Sequence, residues 1–231
     1  MAVNQDTGII LLAGGQGTRA GGSTPKQFAV HRSGQTLLAL AAKAAYDAQP
    51  WAQFIVVAPL DALELTTLIL ESAGVASAVV VPGGDSRIDS LARGLEALDT
   101  TTSPLCVVHD GTRPFTPPEL FTEVLELVRS GTADAAWPAR IVANSIFEVS
   151  EIGYRLRRPR DFLTAATPIA SGSELLRKLV SANSNQNAVP SQIFVESGTK
   201  WLIVDDSPLN FKVTSPRDLE DAVELDLGYS F

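Results

Sequence analysis

Two cations, Arg19 and Lys26, follow a turn rich in glycine (Gly14, Gly15 and Gly17) that itself follows the apolar run Ile9-Ile10-Leu11-Leu12-Ala13. A strand ending in glycines leaves bare backbone N–H groups at a sheet edge, where an anion can approach closely. Pro25 fixes the backbone just before Lys26. The combination suits a polyphosphate; the plain alternative is a glycine turn flanked by solvated charges. Neither common phosphate loop fits. The dinucleotide fingerprint needs GxGxxG opening a helix, and the P-loop needs its lysine followed by Ser or Thr, whereas Gln27 follows Lys26. Two more strand ends carry similar punctuation, Gly83-Gly84-Asp85-Ser86-Arg87 and His109-Asp110-Gly111-Thr112-Arg113-Pro114. Each alone is ordinary turn chemistry. All three at one edge of a sheet point to a ligand.

The elements that must bring them together follow from periodicity. Ile9–Ala13, Phe54–Ala58, Ala78–Val81 and Leu105–His109 are short apolar runs that read as buried strands, and Ala133–Arg140 is a fifth. Between them, Thr36–Asp47, Ala62–Ala73, Arg87–Leu98 and Pro117–Arg129 read as helices, the third capped by Ser86. Strands alternating with helices predict an α/β fold, a Rossmann-like, mainly parallel sheet with helices on both faces. Ligands then sit at the carboxyl ends of the strands. Ile141–Phe162 changes character, alternating β-branched and polar residues around Ser150-Glu151-Ile152-Gly153, and predicts a protruding β-hairpin arm. Residues 1–231 are expected to form one domain with 141–162 inserted as the arm. Ser181–Asn187 reads as a surface loop.

Bulk properties bound the function. A chain of 231 residues, 45% hydrophobic and 19% charged, can bury a proper core and is ordinary for a soluble protein. No apolar run approaches the ~20 residues that span a bilayer. Met1–Asp6 lacks the basic start and apolar stretch of a secretory signal, so a cytoplasmic location is expected. One cysteine, Cys106, and two histidines, His31 and His109, exclude an internal disulfide and a cysteine- or histidine-built metal site. A net charge of −8 disfavours nonspecific nucleic-acid binding. Any phosphate site must therefore be a local basic patch, drawn from Arg19, Lys26, Arg87, Arg113 and Lys212.

The loop and its continuation Pro25-Lys26-Gln27-Phe28 resemble the LxxGxGxRxxxxxPK signature of nucleotidyltransferases that activate sugars and polyols. Within them the chain is similar to the cytidylyltransferases that make CDP-methylerythritol from CTP and 2-C-methyl-D-erythritol 4-phosphate in non-mevalonate isoprenoid synthesis. Gly83, Gly84, Arg87 and Ser90 resemble a GGxxRxxS segment, the next strand end resembles VHDAARP, and Asn210–Leu219 resembles NxKVTxPEDL. The resemblance implies that Arg19, Lys26 and Lys212 are catalytic. It implies a nucleotide site of Ala13, Gly14, Gly15, Gly17, Gly84, Asp85 and Ser90, and a Mg²⁺ held by Asp110. It implies an acceptor site of Arg113, Ser145, Thr167 and Lys212, and a homodimer made through the arm. That chemistry is attack by one anion on the α-phosphate of another, and charge neutralisation with in-line positioning supplies most of the catalysis.

The acceptor half departs from the pattern. A DTxK motif becomes Asn144-Ser145-Ile146-Phe147, Ile169 replaces a glutamine, and Ala188-Val189-Pro190 replaces charged residues. The resemblance implies an arm arginine that meets the acceptor, and Arg157, Arg158 and Arg160 each fit that place. These departures leave open another polyol phosphate, such as ribitol 5-phosphate, or a nucleotide-binding protein without transferase activity. A dinucleotide-dependent dehydrogenase lacks its helix-opening glycines here.

Overall fold

The computed structural model describes residues 6–15, 25–183, 185, 186 and 188–226. In chain order the elements are β1 (Thr7–Leu12), α1 (Leu37–Ala48), β2 (Gln53–Ala58), α2 (Leu63–Ser72), β3 (Val79–Pro82), α3 (Arg87–Ala97), β4 (Leu105–Asp110), α4 (Pro118–Arg129) and β5 (Ala135–Ile141). They continue with β6 (Ile146–Ser150), β7 (Gly153–Arg157), β8 (Leu163–Ala165), β9 (Ile169–Gly172), α5 (Ser173–Ala182), α6 (Pro190–Ser197), β10 (Trp201–Asp205) and α7 (Pro216–Glu224).

The main sheet runs β10-β5-β9-β4-β1-β2-β3, with β8 also paired to β5. Neighbours β1, β2, β3 and β4 are parallel, as are β5 and β10. Strand β9 is antiparallel to both β4 and β5, so the sheet is mixed at that point. Alternation along the buried strands sorts side chains to the two faces. Ile9, Leu11, Phe54 and Val56 pack under α1, α2 and α4, while Ile10, Ile55, Val57 and Val108 pack under α3, α5 and α6. Helix α3 lies very close to the sheet: a Cβ on Gly94 would sit 2.6 Å from Ile10 Cγ2.

Helix starts agree with their chemistry. Thr36 caps α1, and Ser86 with Asp89 forms a capping box on α3. Ser215 does the same for α7 with Asp218, with Pro216 in the first turn. The expected surface loop at Ser181–Asn187 is corrected in part. Ser181 and Ala182 close α5, and the Gln186 amide lies 2.6 Å from Ser86 Oγ, against the start of α3.

The arm is the β6–β7 hairpin, a separate two-stranded sheet with Phe147 opposite Leu156 and Val149 opposite Tyr154. Those four side chains share one face and are all exposed, whereas Glu148 and Arg157 pair on the other face at 2.6 Å. No helix among the described residues is long and apolar enough to cross a membrane.

Candidate active site

Because β1, β2, β3 and β4 run parallel, their carboxyl ends share one rim, and three of them, β1, β3 and β4, deliver residues to a cavity there. The loop after β1 gives Ala13, Gly14 and Gly15; the loop after β3 gives Gly84, Asp85 and Ser86; β4 ends on Asp110. These, with Lys26, Arg87, Ser90 and Lys212, line a cavity of about 500 Å³. Arg19 and Gly17 lie outside the described residues.

Two side chains shape one wall of the cavity. Ser90 Oγ accepts from the Gly84 N–H at 3.1 Å, folding the loop onto the first turn of α3. The approach is too close for a side chain, since a Cβ on Gly84 would meet Asp89 Cβ at 2.3 Å. Gln27, almost fully buried, donates its amide to the Ala13 and Gly15 carbonyls at 2.8 and 3.0 Å. That contact holds the glycine loop against the segment carrying Lys26. In the sequence Gln27 stands inside a motif with no role of its own; its burial beside the glycine loop assigns it to bracing the turn.

Asp110 is the electrostatic centre of the cavity. Its carboxylate receives Arg87 Nη2 at 2.6 Å, Lys212 Nζ at 3.0 Å and Arg113 Nε at 3.4 Å. Burial alone would raise its pKa, but Arg87, Lys212 and Arg113 outweigh that and hold it well below the usual carboxylate range. Lys212 is shifted down by burial, against the opposing pull of Asp110. Arg87 enters the site as the first residue of α3, so the loop after β3 and the end of β4 are joined through Asp110.

Of the residues assigned to the acceptor, Lys212 lines the cavity and the other three are placed differently. The Thr167 hydroxyl points inward, accepting from the Asp110 N–H at 3.1 Å and lying 3.0 Å from His109 Nδ1. Arg113 is mostly buried and donates to the Asn210 carbonyl as well as to Asp110. Ser145 is exposed near the base of the arm. Arg157 is engaged by Glu148.

The donor set also bears on a metal. Among the described residues no group of three or more His, Cys, Asp or Glu could hold one. Among the described residues, Asp110 stands with only Asp85 as a second carboxylate on the cavity wall. Mg²⁺ takes one or two carboxylates and fills its other positions with water and phosphate oxygens. The site therefore fits a metal that arrives on a triphosphate rather than one held by the protein alone.

The sequence pattern of the family described as 2-C-methyl-D-erythritol 4-phosphate cytidylyltransferase matches residues 7–225. This chain belongs to that family. The enzyme of that name from Rhodococcus jostii is 31% identical over 212 residues, covering 91% of this chain and 90% of its own length. The one from Carboxydothermus hydrogenoformans is 30% identical, covering 96% of each. Among solved structures, the cytidylyltransferase of Thermus thermophilus superposes with a TM-score of 0.71 at 28% identity, over 93% of this chain and 96% of that one. The 4-diphosphocytidyl-2C-methyl-D-erythritol synthase of Anaerococcus prevotii shares the fold, with a TM-score of 0.80 at 23% identity over 95% of each chain.

Proposed function

We propose that this cytidylyltransferase transfers the cytidylyl group of CTP to 2-C-methyl-D-erythritol 4-phosphate, releasing pyrophosphate. The observation that carries the reading is the convergence of Lys26, Arg87, Lys212 and Asp110 on one cavity beside two glycine loops, in a chain of this family. An oxygen of the acceptor phosphate attacks the α-phosphorus of CTP, and the bond to the β-phosphate oxygen breaks as pyrophosphate leaves. Both reactants are anions, so the protein's task is to neutralise and align them. Lys26 and Lys212 supply mobile positive charge, and Arg87 a planar fork. The backbone at Gly14 and Gly15 lies open to the phosphates, and Gly84, Asp85 and Ser90 shape the wall for the base. A magnesium ion carried on the triphosphate, with Asp110 as its protein ligand, would neutralise further charge.

The arm supports a homodimer. A lone two-stranded hairpin is marginal in water, yet this one leaves Phe147, Val149, Tyr154 and Leu156 uncovered on a single face. We assign that face to a second copy of the chain. Arg19, outside the described residues, keeps the phosphate role its motif gives it.

The test is direct: purified protein, CTP, magnesium and 2-C-methyl-D-erythritol 4-phosphate should yield CDP-methylerythritol, read by mass spectrometry. Ribitol 5-phosphate belongs in the same assay, because the acceptor side carries Ala188 buried and Val189 exposed where charge was expected. Turnover with ribitol 5-phosphate alone would reassign the acceptor. CTP binding without turnover on either would make the protein a nucleotide binder.

A further inference from the structure

Asn210 is 1% exposed and lies two residues before Lys212. Its Nδ2 donates to the Thr167 carbonyl at 2.9 Å and to Asp206 Oδ1 at 2.7 Å, and its Oδ1 accepts from Thr116 Oγ1 at 2.6 Å. A threonine hydroxyl has one proton; the Arg113 carbonyl lies 3.1 Å from Thr116 Oγ1, and the shorter contact to Asn210 takes it. His109 Nε2 must then be the donor toward Thr116 Oγ1, 3.3 Å away. That leaves Nδ1 to accept from the Thr167 hydroxyl at 3.0 Å, and Thr167 Oγ1 accepts in turn from the Asp110 N–H at 3.1 Å. The bonds therefore run in one direction from the Asp110 backbone through Thr167, His109, Thr116 and Asn210 to Asp206. Only a neutral imidazole can accept at one nitrogen and donate at the other, so the ring in this chain of bonds is neutral.

This chain joins two pieces of the site that are distant in sequence. One end is the last residue of β4, which carries the central carboxylate; the other is the loop that carries Lys212. We infer that Asn210 is a positioning residue that acts through Lys212, setting its ammonium against Asp110 and the phosphates. The inference rests on the transfer reaction proposed above. The loop has other anchors, since Val213 N–H donates to the Thr112 carbonyl at 2.9 Å and Arg113 reaches the Asn210 carbonyl. Removing the amide therefore leaves the loop attached but free to shift. A displacement near 1 Å is enough to lower a transfer rate by roughly 100-fold.

The experiment is a double-mutant cycle read by pyrophosphate release from CTP and 2-C-methyl-D-erythritol 4-phosphate, with CTP affinity followed by calorimetry. Asn210→Ala is expected to lower kcat by about 100-fold, to leave the CTP Kd within about threefold, and to add nothing further once Lys212→Ala is present. A residue that only satisfies buried polar groups would instead give losses that multiply with those of Lys212→Ala. Thr116→Val removes one hydroxyl while keeping the shape, and the same non-additivity is expected of it; it decides the question if Asn210→Ala does not fold. Multiplying losses, unchanged kcat, or a CTP affinity that falls in step with kcat would each overturn the inference. A wild-type protein inert toward both substrates overturns the transfer reading itself, and this inference with it.

Discussion

At Asp110, burial and charge pull in opposite directions, and three neighbouring cations decide the outcome. The cluster holds positive charge on an acidic protein at the place proposed for the triphosphate. Lys26→Ala and Lys212→Ala are each expected to lower kcat by about 100-fold or more while leaving the far-ultraviolet circular dichroism unchanged, the usual consequence of deleting one charge-stabilising group. His109 makes a separate prediction. It is neutral in the fold with a pKa near 3, against 6.5 for an ordinary histidine, with Asp110, Arg113 and Lys212 as its charged neighbours. Below pH 6.5 the unfolded chain takes up a proton that the native protein refuses, so this contribution is complete above that pH and is lost as pH falls. The slope approaches about 1.4 kcal/mol per pH unit. Urea titrations between pH 6.5 and 5 should show that His109→Gln flattens the dependence; an unaltered slope would refute the neutral assignment. Asp110, Lys26 and Lys212 were legible from sequence because each lies in a short motif at a strand end or loop. Asn210 and Thr116 had no assigned role because their partnership spans 94 residues, and no local pattern encodes a contact of that kind.

Helix α3 carries Ser86, Arg87 and Ser90 to the rim, and it can do so only because Gly94 lets it lie against Ile10 and Val57. Gly94→Ala should destabilise the protein by about 1–3 kcal/mol through overpacking, measured as a lower urea midpoint. A gain in stability would mean that the helix has room to spare. For the arm, sedimentation should find a dimer for the wild type and a monomer for the double variant Val149→Glu, Tyr154→Glu. A wild type that is monomeric at micromolar concentration contradicts the role given to that face. The hairpin was readable from its period-2 pattern and its turn. Strand β9 was not, because Ile169-Ala170-Ser171-Gly172 has small residues and no alternation, and its place between β4 and β5 is a tertiary outcome. Edge strand β10, half exposed along its length, gave equally little signal.

The whole molecule carries a net charge of −8, and its sheet brings Arg87, Arg113 and Lys212 around a single buried carboxylate at one rim, with Lys26 on the wall of the same cavity. Parallel strand order accomplishes this, since it places the ends of β4, β1 and β3 along one rim, with β2 between the last two, although they lie far apart in the chain. A small third core supports the arrangement from behind. Phe115, Val213 and Ala222 pack with Leu37 and Leu40, tying α7 and the Lys212 loop to the start of α1. His31 Nε2, 2.8 Å from the Leu225 carbonyl, fastens the segment after Lys26 to the same unit. Both lysines are thus held by one scaffold. The most direct measurement is a crystal structure with CTP and magnesium bound. The triphosphate is expected between Lys26 and Lys212, with the metal on Asp110 and the cytosine against Gly84, Asp85 and Ser90. Nucleotide found elsewhere on the surface, with Asp110 still enclosed by its three cations, would contradict the account.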